Sequence, residues 1–299
     1  MGARKIVLID ANNLAYRAFY ALPETISTTS GTVTNAVYGF TSMLLKLIEE
    51  QKPHTIICAF DSKVPTFRHK LFEEYKIQRK KMPLELVNQI SLIKEILDSF
   101  NIPCVEVDGY EADDVLASIA CLADKKFDEI LIVTGDKDML QLVSDKIKVM
   151  AVKKGITDTV IYDKEKVKEK FGVEPVRIRD LLALMGDNSD NIPGIPGIGP
   201  KIAQKLLDEY KTLDNIYQHL DEIKSESVRD LLSRYREQVD ISKKLVELNT
   251  NLEVGVDGAL SRSLEDLDYK RIEKIFDSLE FKTLKERIKK SDLFCKKSY

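Results

Sequence analysis

Three apolar runs in this sequence finish on an aspartate: IVLID at Asp10, IICAFD at Asp61 and ILIVTGD at Asp136. Asp138 lies two residues beyond the last. YEADDVLA sets Glu111, Asp113 and Asp114 at the start of a helical pattern, and LMGDNSDNIPG adds Asp187 and Asp190. Taken singly, each is ordinarily a turn residue or a helix cap, because a helix start offers free N–H groups. Together they predict one site. In open parallel sheets, sites form beyond the carboxyl ends of the strands. Nine carboxylates there would raise one another's pKa and call for cations. Oxygen ligands with only three scattered histidines favour Mg²⁺ or Mn²⁺ over zinc. The crowding suits two ions about 4 Å apart, as in phosphoryl chemistry. At about 100° per residue, Glu111 and Asp114 share a helix side that Asp113 does not, so the three need not touch the same ion.

A cationic segment follows Asp61. SKVPTFRHKLFEEYKIQRKKMP carries Lys63, Arg68, Lys70, Lys76, Arg79, Lys80 and Lys81 against Glu73 and Glu74. A solvated charged helix is the plain reading. Its position after a site-forming strand end predicts instead a cover over the acidic cluster. Lys76 and Arg79, three apart, would share a helix face and offset charge on a reacting phosphate. Tyr75, Tyr16 and Phe19 could stack on bases. Each could equally be core, and Phe19 reads as core.

NIPGIPGIGPKIAQKLL places Gly194, Gly197 and Gly199 in a tight turn between two helices, with Pro200 at the first helical position. Free N–H groups at such a turn, with Lys201 and Lys205, suit a phosphate backbone. They read no base edges, so recognition would be by shape and backbone. A plain helical hairpin is the alternative.

The elements behind these motifs alternate strand and helix up to about residue 172. RKIVLID, HTIICAFD, IPCVEVDG, DEILIVTGD and KIKVMAV read as strands. TNAVYGFTSMLLKLIEE and residues 84–100 read as helices, the latter with Leu86, Ile90, Ile93, Leu97 and Phe100 on one stripe. The pattern predicts an α/β domain with a mostly parallel sheet over residues 1–172. A helical domain over 173–299 follows, with its hairpin at about 178–210.

The 299 residues are 43% hydrophobic and 32% charged, enough for a sizeable core. No apolar run reaches the roughly 20 residues of a membrane helix, and the first residues lack signal-peptide and myristoylation patterns. Four scattered cysteines without a C-x-x-C pair predict free thiols in the cytoplasm. The net charge is −3, which argues against a nucleic-acid partner. Setting the nine carboxylates aside leaves 46 basic against 40 acidic residues, so the rest of the chain is basic.

DANNLAYRAFYAL, TNAVYGF, FR…YKIQR, GYEADDVLA, TGDKDMLQLV and LMGDNSDNIPGIPGIGPKIAQKLL stand in the order found in bacterial 5′-nucleases. The chain resembles that family, the 5′→3′ exonuclease domain of DNA polymerase I and its free-standing relatives, akin to flap endonucleases. The likeness runs from about residue 4 to past 260. It implies a resolvase-like or PIN-like sheet, a helical arch at about 63–83, and a helix–three-turn–helix (helix-hairpin-helix) region. It also implies metal-dependent hydrolysis of DNA and RNA-primer phosphodiesters at 5′ flaps and nicks, by a monomer working beside a DNA polymerase. All nine carboxylates match the family's metal pattern. Tyr16 and Arg17 match substrate-contacting positions, and Tyr75, Lys76 and Arg79 match arch residues near the scissile phosphate. The glycine turn resembles one that holds K⁺ against a DNA phosphate. Two alternatives remain open at this point: an inactive branched-DNA-binding module, and a single-strand ribonuclease on the same sheet.

Overall fold

The computed structural model describes residues 3–154, 158–264 and 267–291. At its centre is β1 (Lys5–Asp10), whose KIVLID run is buried over its last five residues. Such an unbroken apolar strand needs cover on both faces, as in parallel sheets. One face is covered by α1 (Ala11–Ala21) and α2 (Asn35–Gln51), which lead to β2 (Thr55–Ala59). Then follow α3 (Phe67–Leu71), α4 (Leu84–Ser99), β3 (Cys104–Val105), α5 (Ala112–Ala123), β4 (Glu129–Val133), β5 (Ile147–Lys154) and β6 (Asp158–Tyr162). The sheet order is β3-β2-β1-β4-β5-β6, parallel except for the β5–β6 pair.

Alternation along the strands divides the core in two. Ile6, Leu8, Ile57, Ile130 and Ile132 pack with α5 on one face. Val7, Ile9, Ile56, Cys58, Leu131 and Val133 pack with α1, α2 and α4 on the other. The chain winds outward from β1 to β2 and β3, then returns to β4 on the other side of β1. That reversal opens a crevice at the carboxyl ends of β1 and β4, where Asp10 and Asp136 lie.

The third strand is shorter than IPCVEVDG predicts. Only Cys104 and Val105 pair, because this edge has one neighbour and Pro103 has no N–H to give. The antiparallel β6 has no counterpart in the sequence reading. The arch is helical only over α3; residues 73–78 are turns, and Lys76 takes a left-handed φ of 55°. Lys76 and Arg79 therefore do not share a helix face.

The helical part comprises α6 (Lys164–Phe171), α7 (Ile178–Met185), α8 (Pro200–Tyr210), α9 (Leu213–Gln218), α10 (Glu226–Arg234), α11 (Arg236–Val246), α12 (Asp257–Leu260), α13 (Tyr269–Ser278) and α14 (Lys282–Lys290). These helices are not one body. Residues from α7 to α12 extend the core on the α5 side. Near residue 262 the chain turns back: the Thr55 hydroxyl donates to the Arg262 carbonyl at 2.7 Å, and the Leu264 N–H to the His54 carbonyl at 3.0 Å. Ile272, Phe276, Leu284 and Ile288 then close the core on the α2–α4 side. Arg287 pairs with both oxygens of Glu49 at 3.0 and 2.6 Å.

Between α7 and α8 the backbone crosses itself at glycine. A Cβ on Gly194 would lie 2.1 Å from the Gly186 nitrogen, and its φ is +56°. Gly199, by contrast, has nothing within 4 Å of an added Cβ. Gly194→Ala should lower stability by more than the roughly 1–3 kcal/mol of backbone strain alone. Gly199→Ala should stay within about 1 kcal/mol of the unaltered chain. Urea unfolding of the two variants compares them directly.

Candidate active site

Asp10 ends β1 and caps α1. One oxygen accepts the Asn13 N–H at 2.9 Å and the other the Thr134 hydroxyl at 2.9 Å, which fixes the carboxylate at the head of the helix. Asp61, just past β2, accepts the Ala112 N–H at 2.9 Å, so the strand end is tied to the start of α5. Asp136, past β4, accepts the Asp138 N–H at 2.9 Å. Asp113 comes from the first turn of α5.

Asp10, Asp61, Asp113 and Asp136 line one cavity of about 360 Å³, with Asn12, Asn13, Tyr16, Tyr20, Lys76, Arg79, Lys80 and Lys81. The four stand around it instead of closing on one point. Among the described residues no three Asp, Glu, His or Cys side chains are clustered tightly enough to clasp an ion. Their chemistry nonetheless fits a cation. Oδ1 of Asp113 and Oδ1 of Asp138 are buried and accept no hydrogen bond, a costly state for a carboxylate.

Electrostatics agree. Burial, followed by the neighbouring Asp61, pushes Asp10 up to about 7. Burial likewise raises Asp61 and Asp136. It raises Asp113 and Asp138 further still, each helped by the charge of Asp136.

A second group of carboxylates is already matched by cations of the same chain. Glu111 accepts from Lys76 at 3.0 Å and the Tyr75 hydroxyl at 3.1 Å, with Arg68 at 3.4 Å. Asp190 meets Arg79 at 2.5 Å and Lys76 at 3.5 Å. Asp187 meets Lys137 at 2.7 Å. Burial would raise Asp187, but hydrogen bonds from Lys137 and Ser189 outweigh it and hold the group below its ordinary value. The arch backbone joins in, since the Lys76 N–H donates to the Asp190 carbonyl at 3.0 Å.

Three expectations are corrected. Asp114 does not face the cavity. It is fully buried, clamped by Arg68 at 2.6 and 2.9 Å, and bonded to the Glu111 and Asn249 N–H groups. Its helix position points it at the arch root, and its charge is spent there. Tyr75 is 3% exposed and cannot stack on a base in this arrangement; its hydroxyl orients Glu111. Gly194 is buried in the hairpin. Its N–H donates to Ser242 and its carbonyl accepts from Gln238, which leaves nothing for a phosphate. Gly197, Gly199, Lys201 and Lys205 do reach solvent, and Tyr16 and Arg17 are half-buried on α1.

Sequence reasoning missed several residues. Asn12 and Asn13 follow Asp10 directly, and Lys137 lies between two of the aspartates, so adjacency was the available signal. Tyr20 lies one helical turn beyond Tyr16. Arg68 was counted as one arch cation among many. It also donates to the carbonyls of Leu245 and Glu247, both at 2.8 Å, and so joins the arch root to α5 and to the end of α11.

Two family descriptions match this chain in succession: the 5'-3' exonuclease N-terminal resolvase-like domain over residues 5–172, and the 5'-3' exonuclease C-terminal SAM fold over 173–275. The chain belongs to the 5'-3' exonuclease family. It is 42% identical to DNA polymerase I of Bacillus subtilis over 287 residues, covering 95% of this chain and 32% of the polymerase. With DNA polymerase I of Mycobacterium tuberculosis it shares 40% over 284 residues, 95% of this chain and 31% of that one. The chain thus spans about a third of the length of these relatives.

Among solved structures, the bacteriophage T5 flap endonuclease in a pseudo-enzyme-product complex with DNA and metal ions aligns at TM-score 0.67 and 22% identity, covering 93% of this chain and 100% of that one. The catalytic core of Rad2 with DNA substrate aligns at 0.59 and 18%, covering 93% and 88%. These two likenesses are likenesses of fold. No described helix is long and apolar enough to cross a membrane.

The raised carboxyls predict an inverted pH response. Asp10 titrates near 7 folded against 3.8 ordinarily. Between those values the folded chain holds more protons than the unfolded one, so stability falls as pH rises. Without divalent cations, the melting temperature should drop from pH 5 to pH 7.5. Added Mg²⁺ should raise it more at pH 7.5 than at pH 5; thermal denaturation at both pH values measures this.

Proposed function

We propose that this chain is a structure-specific 5′-nuclease that hydrolyses DNA and RNA-primer phosphodiesters at 5′ flaps and nicks, in the cytoplasm, beside a DNA polymerase. The observation that carries this reading is the acidic cavity with unpartnered buried carboxylate oxygens, walled by the cations of the arch. Asp10, Asp61, Asp113 and Asp136 would hold two divalent cations, Mg²⁺ or Mn²⁺. Glu111 and Asp138 adjoin them, and Asp187 and Asp190 form a more distant wall. Such ions, when bound, supply an acidified water and neutralise charge on the leaving oxygen.

The rest is the work of the chain's own side chains. Asn13 and Thr134 hold Asp10 in orientation. Lys76 and Arg79, beside Glu111 and Asp190, offset negative charge growing on the phosphate. Tyr16 stacks on a base, with Arg17 beside it on α1. Gly197, Gly199, Lys201 and Lys205, at the opening of α8, grip the duplex backbone, and the same turn suits K⁺. Phosphate contacts of this kind make binding weaken steeply with salt. The product carries a 5′-phosphate.

A labelled flap duplex incubated with and without Mg²⁺ tests the reading. Asp113→Asn should cut the rate by orders of magnitude and leave DNA binding largely intact; a near-normal rate would reject the site. Lys76→Ala should slow hydrolysis more than it weakens binding, and Lys201→Ala should do the reverse. The two are separated by single-turnover rates set against binding isotherms.

A further inference from the structure

Tyr20 is 70% exposed at the rim of the acidic cavity. An aromatic ring left in water forgoes the energy of burial, so its placement asks for a partner. It belongs to an ordered surface. Asn13, Tyr16, Arg17 and Tyr20 fall at i, i+3, i+4 and i+7 on one face of α1, while Leu14, Ala15, Ala18 and Phe19 bury the other.

The ring plane is set by its neighbours. Tyr16 lies 6.4 Å away and nearly parallel at 20°, and Phe19 meets Tyr20 edge-on at 5.2 Å and 87°. Tyr20 also lines an adjoining open cavity of about 420 Å³ with Asn13, Tyr16, Arg17 and Ala21. Exposed Lys80 and Lys81 stand on the wall that the arch contributes to the acidic cavity.

We propose that Tyr20 is a stacking residue for an unpaired nucleobase of the strand entering the acidic cavity. It lies one helical turn, about 6 Å, further from Asp10 than Tyr16 does. The two rings form a stepped ledge on α1. A strand whose phosphates follow Lys80 and Lys81 turns its bases toward that ledge. Stacking tolerates any sequence, since every base has a π-face, but it requires a base not already paired. Tyr20 thereby favours substrates with a free 5′ strand over blunt duplex. It is a binding and selectivity residue, not a catalytic one. The inference rests on the nuclease reading only for the kind of polymer.

The test uses a duplex with a short unpaired 5′ extension. One form carries 2-aminopurine in the extension and the other an abasic sugar at the same positions; binding is measured without Mg²⁺ and cleavage with it. The unaltered chain and Tyr20→Phe should quench the 2-aminopurine. Tyr20→Ala should lose that quenching and bind the base-bearing form about five- to tenfold more weakly, the low end for one base stack. It should bind the abasic form as the unaltered chain does, with the same rate at saturation. Equal weakening on both forms, or no weakening, overturns the proposal. Base-dependent quenching without any cleavage in Mg²⁺ sinks the nuclease reading and leaves the ledge standing.

Discussion

Five carboxylates crowded at the carboxyl edge of one sheet, two of them buried, cannot all carry charge beside one another without a positive counterpart. Asp10, Asp61, Asp113, Asp136 and Asp138 are in that position, and every one is pushed toward its protonated form. The surrounding structure answers this constraint. Backbone N–H groups from α1, α5 and the stretch after β4 hold three of the five in place. The other two, Asp113 and Asp138, each keep one buried oxygen without a hydrogen bond.

The arch supplies positive charge from the other side, and it does so with two different fixings. Lys76 and Arg79 reach Glu111 and Asp190 from a turn whose backbone is held by the Lys76 N–H at the Asp190 carbonyl. Arg68 is buried and gives every donor group to Asp114, Glu111 or backbone carbonyls. Removing one member of such a buried pair typically costs about 3–5 kcal/mol. The arch is therefore tied to the body at its root through Arg68 and at its crown through Lys76 and Arg79.

Much of this was legible in the sequence where local pattern and chemistry coincide. An apolar run closing on aspartate reveals both a strand and the residue it delivers, which is why Asp10, Asp61 and Asp136 were readable. Pro200 after a glycine turn likewise announces α8. What stayed hidden depends on contacts between distant segments. The pairing of residue 68 with residue 114 and with carbonyls at 245 and 247 has no local signature, so Asp114 looked like one more ligand. Tyr75 lies among charged neighbours, and only the folded arch turns it inward. Gly194 and Gly199 look alike in the sequence; a backbone crossing separates them.

The return of the chain near residue 262 also bears on mechanics. The segment from α7 to α12 leaves the sheet body at one end and is fastened to it again at the other, where Arg262 and Leu264 meet Thr55 and His54. It is a closed loop, not an appendage on a single hinge. Between those ends it is also held along its length, by Arg68 at the carbonyls of Leu245 and Glu247 and by Asp114 at the Asn249 N–H, so a load on α8 would pass into the α5 layer beside the carboxylate edge at several points at once.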